Sequence, residues 1–449
     1  MQNFSCIGTL TYAHLLASIF SVYVLFFASC NAERTLKLVH VLYRHGDRSP
    51  VVGYPNDPYK EDSWPEGFGQ LTEHGMMQHY DLGQWLRRRY ITDQHFLNET
   101  YVRTEIKVIS TDYDRTIMSA DSNLQGLYPR DKDLGKGMLW RPIPVFRLPE
   151  DCDLYLHDTT HHCPRFKQLT ITNNQTKQKY IEDDKDFFKM VAEKAGLEFL
   201  NMRNITHLAD TLHFEKLDGR LPPDWVTDDV MQRLINALHY WYIVDMNNQT
   251  VEYRKLFAGN LIKQIVGQLR NNTSGANNQT KLYMYSGHDS TVAALLCGFG
   301  LRVPGKPNTA SIILIELYQE ADSSYTVDVY FRNTTDLLQT MKLPECLEQV
   351  HCPLGQFYNL TEPLIPKDYK EECKAVLPMQ GLEWGNKGWL MAFIAVVGCL
   401  LLALVMIALA LFSSHRRKML LRERRMEPIN FHLLGHHASE SEDESVFDT

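Results

Sequence analysis

Residues 36–48 read Leu-Lys-Leu-Val-His-Val-Leu-Tyr-Arg-His-Gly-Asp-Arg. Leu36 to Tyr43 is a nearly continuous apolar run, the pattern of a strand buried on both faces of a parallel sheet. It stops abruptly at Arg44-His45-Gly46-Asp47-Arg48. Titratable residues at the C-terminal end of a buried strand suit an open α/β sheet, where ligands bind outside the strand ends. The pentapeptide sets two guanidinium groups around one imidazole, and Gly46 lets the backbone turn tightly. Guanidinium forks match phosphate oxygens, and a neutral imidazole can attack phosphorus. The competing reading of the pentapeptide alone is a charge-balanced surface loop.

Two further strand-to-helix junctions repeat the theme. Ile106 to Ile109 runs into Ser110-Thr111-Asp112-Tyr113-Asp114-Arg115, and Leu282 to Tyr285 runs into Ser286-Gly287-His288-Asp289. Each has a plain alternative: Arg115 can pair with Asp112 or Asp114, and Asp289 can cap a helix. Together they raise the odds of one site. After Thr72, a plausible N-cap, Met76, Tyr80, Gly83, Leu86 and Tyr90 recur at helical spacing and predict a scaffold helix. Ala310 to Tyr318 and Tyr325 to Phe331 predict an antiparallel hairpin at the sheet edge. From about 129 to 279 the pattern is helical and polar, as expected of an inserted cap domain. The fold class is therefore α/β: a mostly parallel central sheet with flanking helices and a mainly helical insertion.

The chain has 449 residues, 44% hydrophobic and 22% charged, the composition of a folded protein rather than a disordered one. Its formal charge of -8, with 54 acidic against 46 basic side chains, argues against general nucleic-acid binding. Residues 1–32 read as a signal peptide and 389–412 as a transmembrane helix, about 1.5 Å per residue giving roughly 36 Å. Arg416, Arg417, Lys418, Arg422, Arg424 and Arg425 follow it, so the positive-inside rule puts the tail, 413–449, in the cytosol and residues 33–386 on the lumenal or extracellular side. This is a single-pass type I topology. Sequons at Asn98, Asn174, Asn204, Asn248, Asn271, Asn272, Asn278, Asn333 and Asn359 all precede the anchor. Six cysteines fall between signal and anchor: Cys152, Cys163, Cys297, Cys346, Cys352 and Cys373. Spacing alone does not give their connectivity, although Cys346 and Cys352 are easiest to bridge. The His161-His162-Cys163 run reads as a loop, and no metal site is expected.

Several segments, in order, resemble the histidine acid phosphatases, the branch of the histidine phosphatase superfamily that includes lysosomal and prostatic enzymes. They are Leu42 to Pro50, Trp64 to Thr72, Ser110 to Thr116, Trp140 to Val145 and Ser286 to Asp289. With one signal peptide and one anchor, the layout resembles the type I membrane form. The resemblance implies a nucleophile at His45, phosphate-binding Arg44, Arg48 and Arg115, a second histidine at His288 and a proton donor at Asp289. It also implies disulfides Cys163 to Cys373 and Cys346 to Cys352. Phe214 and Ile312 stand where the family's third disulfide would be, Gly287 where Ala is usual, and Phe146 where His is usual.

The implied reaction is metal-independent hydrolysis of phosphomonoesters, with no cofactor: His45 forms a phosphohistidine while a protonated Asp289 protonates the leaving alkoxide. Two other readings compete, a narrower phosphatase for lysophospholipids, nucleotides, inositol phosphates or phosphotyrosine, and a catalytically silent cell-surface glycoprotein. The intact site residues argue against the second. Candidate partners are phosphomonoester substrates, a second copy of the chain, and sorting adaptors reading Phe431-His432-Leu433-Leu434 or the acidic serine cluster Ser439 to Ser445. The resemblance favours the lysosomal membrane, with the plasma membrane as the alternative.

Overall fold

The computed structural model describes residues 34–129, 140–147, 149–150, 153–156, 163–275, 279–333, 337–346, 349–376 and 386–423. The expected signal peptide, Cys152, His161, His162, Asn278 and the tail beyond 423 lie outside them. The chain divides into two units, one ending at Ala375 and one beginning at Val376.

The first unit is built on an eight-stranded sheet: β1 (Thr35–Arg44), β2 (Ile106–Ser110), β3 (Val145–Arg147), β4 (Leu282–Gly287), β5 (Ile312–Gln319), β6 (Tyr325–Arg332), β7 (Gln339–Met341) and β8 (Cys352–Pro353). The order is β3-β2-β4-β1-β5-β6-β7, with β8 on β6. Strands β3, β2, β4 and β1 are mutually parallel, and the β5–β6 hairpin extends the sheet antiparallel from β1. The hairpin expected at the edge thus packs against the central strand, while β7 and β8 cover β6.

Strand β1 is buried from Leu38 to Arg44 because both its faces carry core. Leu38 and Leu42 face one cluster, with Tyr285, Ile313 and helices α8 (Val251–Thr273), α9 (Asp289–Gly298) and α10 (Leu354–Thr361). Val39, Val41 and Tyr43 face the other, with α1 (Glu73–Arg87) and α2 (Asp114–Leu127). The period-two alternation of a strand therefore yields two apolar stripes and no polar one. His40 is tolerated inside because its ring stacks on Tyr283 and Tyr285, and burial lowers its pKa to about 3, keeping it neutral. The expected helix after Thr72 forms as α1, with the Thr72 hydroxyl accepting from the Gly75 amide at 3.0 Å.

Register positions the site. Arg44 pairs with Gly287 across β1–β4, and Ser110 with Ser286 across β2–β4, so three parallel strands end in one row.

The insertion contains α3 (Pro164–Leu169), α4 (Ile171–Asp183), α5 (Lys185–Ala195), α6 (Met202–Leu217) and α7 (Asp228–Met246). Helices α4 to α7 close a core of their own around Ile181, Phe188, Ile205, Leu212 and Leu234. Helix α8, which the sequence reading grouped with the insertion, instead buries Leu256, Ile262 and Leu269 against the sheet. Helical periodicity reports which face is apolar, not which layer it meets. Bridges Cys163–Cys373 and Cys346–Cys352 are both formed, and Cys297 is a free, buried thiol pushed up to about 12 by burial. Helix α11 (Tyr369–Glu372) ends at Cys373. In the second unit α12 (Asn386–Glu423) contains a stretch, Ala392–Arg422, long and apolar enough to cross a membrane.

Candidate active site

The loop after β1 is held by backbone bonds before any side chain acts. The His45 amide donates to Gly287 O at 3.0 Å, its carbonyl accepts from Ala310 N at 3.1 Å, and the buried His79 ring of α1 donates to Arg44 O at 3.0 Å. The turn passes so close to α1 that a Cβ on Gly46 would sit 2.3 Å from Gly75 O, which only glycine avoids. Asp47 is scaffolding: its carboxylate accepts from the Thr72 hydroxyl at 2.7 Å and its amide donates to Gln78 at 2.8 Å.

These constraints leave the His45 ring with one defined tautomer. Its Nδ1 lies 2.8 Å from Gly46 O, which can only accept, so Nδ1 carries the proton and Nε2 keeps its lone pair. Burial comes first, then Arg44, Arg115, Arg48 and His288, in holding the imidazole well below its ordinary pKa. It therefore stays neutral, and nucleophilic, in acid.

The arginines come from three directions. Arg44 donates to Pro307 O at 2.7 Å and pairs with Asp289 Oδ2 at 3.0 Å. Arg48 pairs with Asp210 at 2.8 Å and stacks 4.3 Å over the Phe214 ring. Phe214 thus supplies an aromatic platform under the Arg48 guanidinium. Arg115, in the first turn of α2, lies 4.5 Å over Tyr113, and burial then Arg48 lower it to about 10, still cationic.

His288 caps α9 and stands edge-on to His45 with ring centroids 5.7 Å apart. The Thr116 hydroxyl is committed to the carbonyls of Thr111 and Tyr113, so Thr111 donates to Thr116 and accepts from His288 Nε2 at 3.0 Å. That chain fixes the ring. A Cβ on Gly287 would lie 3.0 Å from Thr291 Oγ1, the atom bonded to the His288 amide, so the glycine relieves crowding beneath His288. Phe146, the other departure, is exposed on β3.

Asp289 opens α9 and meets cations on both sides. Its Oδ2 lies 3.0 Å from Arg44 and 3.4 Å from Lys306, and the Tyr242 hydroxyl donates to it. Burial alone would raise its pKa, but Arg44 first, then Lys306 and Arg48, outweigh that and hold it well below the carboxylate range. The free site thus holds Asp289 as a carboxylate.

All six residues expected at the site, Arg44, His45, Arg48, Arg115, His288 and Asp289, converge here. Sequence reading missed Lys306, Asp210 and Tyr242. Lys306 sits in a Gly-Lys-Pro turn before β5, and Asp210 lies on the cap helix α6, 162 residues from Arg48. Neither position carried a signal beyond a lone charge in a turn or on an amphipathic helix. Four cations against two carboxylates leave an excess of two positive charges, which suits a phosphate dianion. A cleft of about 510 Å³ opens over Arg48, Asp210, Asp289 and Lys306, walled by Val51, Val52, Trp241 and Phe257.

Residues 35–333 match the histidine phosphatase superfamily (branch 2). The chain belongs to this superfamily. Among its histidine phosphatase relatives, human lysosomal acid phosphatase is 41% identical over 349 residues, 76% of this chain and 81% of that one. Human prostatic acid phosphatase is 37% identical over 358 residues, 78% of this chain and 91% of that one. The fold is also that of the Citrobacter braakii phytase, at 18% identity with a TM-score of 0.59, covering 76% of this chain and 100% of the phytase.

Proposed function

We propose that the protein is an acid phosphatase that hydrolyses phosphomonoesters through a phosphohistidine on His45, without a metal. Family membership and similarity to lysosomal and prostatic acid phosphatases over three quarters of the chain support the activity. The single observation that carries the residue roles is the unprotonated Nε2 of His45 inside a cage of arginines.

In the first step Nε2 attacks phosphorus as the ester P–O bond breaks in line. Arg44, Arg48, Arg115 and His288 hold the equatorial oxygens, supplying charge that a metal supplies elsewhere. The leaving alkoxide takes its proton from Asp289. Since the empty site holds Asp289 ionised, the proton arrives with the substrate. A phosphomonoester is a monoanion below a second pKa of about 6 and carries that proton in. Binding also sets phosphate charge against the arginines, weakening their hold on the carboxylate. In the second step Asp289 accepts a proton from water as the water oxygen attacks phosphorus and the P–N bond breaks, giving inorganic phosphate.

This reading favours acid conditions, as does the lysosomal membrane location suggested by the relatives and by α12. We place residues 33–386 in the lumen, with glycans on the sequons; Asn98, Asn174, Asn248, Asn271 and Asn359 are exposed. Assaying the solubilised full chain and its His45→Ala variant on a panel of phosphomonoesters from pH 4 to 8 tests the function. Acid-favoured hydrolysis lost in the variant is expected; a silent chain, or activity surviving the substitution, would overturn it.

A further inference from the structure

Lys306 belongs to none of the strand-end motifs, yet it is built into the site. Its backbone amide donates to His239 Nδ1 at 3.1 Å, and the next carbonyl, Pro307 O, accepts from Arg44. Gly305 permits the approach, because a Cβ there would sit 2.5 Å from His239 Nδ1. The ammonium so delivered contacts Asp210 on the cap and lies 3.4 Å from Asp289 Oδ2, with the side chain largely buried.

We propose that Lys306 is a positioning residue for proton transfer: clamped by Asp210, its ammonium sets the pH above which Asp289 ceases to serve as the proton donor. The inference rests on Asp289 being that donor. The groups facing Asp289 are Arg44 from β1, His45 and Arg48 from the following loop, Arg115 from α2, Asp210 from α6, Tyr242 from α7 and Lys306 from the turn before β5, with His288 beside it in the chain. Only Arg44 and Lys306 are cations in direct contact with the carboxylate among the described residues. Arg44 also belongs to the phosphoryl cradle, so Lys306 is the cation whose loss retunes Asp289 while leaving the cradle intact. Asp210 counts with the opposite sign. It draws on the charge of both Lys306 and Arg48, and neutralising it leaves more positive charge facing Asp289.

The test is kcat against pH for the solubilised full chain on an alkyl phosphate, since kcat reports ionisations in the bound complex rather than those of free substrate. Lys306→Met should move the alkaline limb up by about one pH unit, Lys306→Arg should leave it in place, and Asp210→Asn should move it down. A merely structural lysine would lower kcat at every pH without moving the limb. A limb unmoved in Lys306→Met, or shifted the same way by Asp210→Asn, would overturn the inference. Failure of the underlying reading looks different: Asp289→Asn would then harm alkyl and nitrophenyl phosphates equally, wherever the limb lies.

Discussion

Two carboxyl groups in this molecule are buried with opposite results. Asp289, at the strand ends, meets Arg44 and Lys306 and is held well below its ordinary range. Glu215, on the cap helix α6, is buried beside Asp57 of the loop that follows Arg48 and Ser49. Burial first, and then the Asp57 carboxylate, push Glu215 up to about 8, with Arg220 only partly offsetting them. Burial raises both acids; the sign of the neighbour decides the outcome. One carboxyl is thereby held charged among the arginines, and the other is held neutral at the joint between the cap and the loop after Arg48. That joint adjoins the Thr211 hydroxyl bond to Val52 O and the stacking of Arg48 on Phe214.

The largest expected effect lies on the Asp289 side. Asp289→Asn should lose roughly two to four orders of magnitude on an alkyl phosphate and clearly less on p-nitrophenyl phosphate, whose leaving group needs little proton assistance. Arg48→Ala and Arg115→Ala should damage both substrates alike, because the phosphoryl group they hold is common to both. Equal losses for Asp289→Asn would reduce Asp289 to an acidic first-turn residue that steadies α9 and its neighbours.

A smaller effect is expected on the Glu215 side, in stability. Its folded pKa of about 8 lies above the ordinary 4.5, so its contribution is fully present below pH 4.5 and is lost as pH rises toward 8. Asp289 slopes the other way: its contribution is present above 3.8 and is lost only as pH falls through its depressed value. Both contributions are whole only in a narrow acid window. Glu215→Gln should flatten the fall in Tm between pH 5 and pH 8, worth a few kcal/mol at most and several degrees. An unchanged slope would remove Glu215 from the joint.

The smallest effect concerns metals. Guanidinium and ammonium groups already supply the charge, so incubation with a chelator should leave turnover unchanged. Activity lost and then restored by a divalent cation would reveal a site these residues do not explain.

The contrast between the two carboxyls also marks how far sequence reading reached. Arg44, His45, Arg48, Arg115, His288 and Asp289 were legible because each sits just past a buried apolar strand, and parallel register aligns those ends. Lys306, Asp210, Tyr242 and Glu215 were not. They reach the site or its border only through packing of α6, α7 and one turn across the sheet, and amphipathic periodicity does not encode that contact. The depressed pKa of Asp289 was legible only in part, since Arg44 sits at a strand end but Lys306 reaches the carboxylate from a turn with no such signal. Helix α8 was assigned to the insertion because its apolar stripe does not say which layer it covers.

The most direct test of the account is to trap the covalent intermediate. Full-length protein quenched during turnover of a 32P-labelled phosphomonoester should carry label that is acid-labile and base-stable, as expected of a phosphohistidine, and the label should vanish in His45→Ala. Label that persists in His45→Ala, or that is lost in base as an acyl phosphate would be, would contradict His45 as the nucleophile.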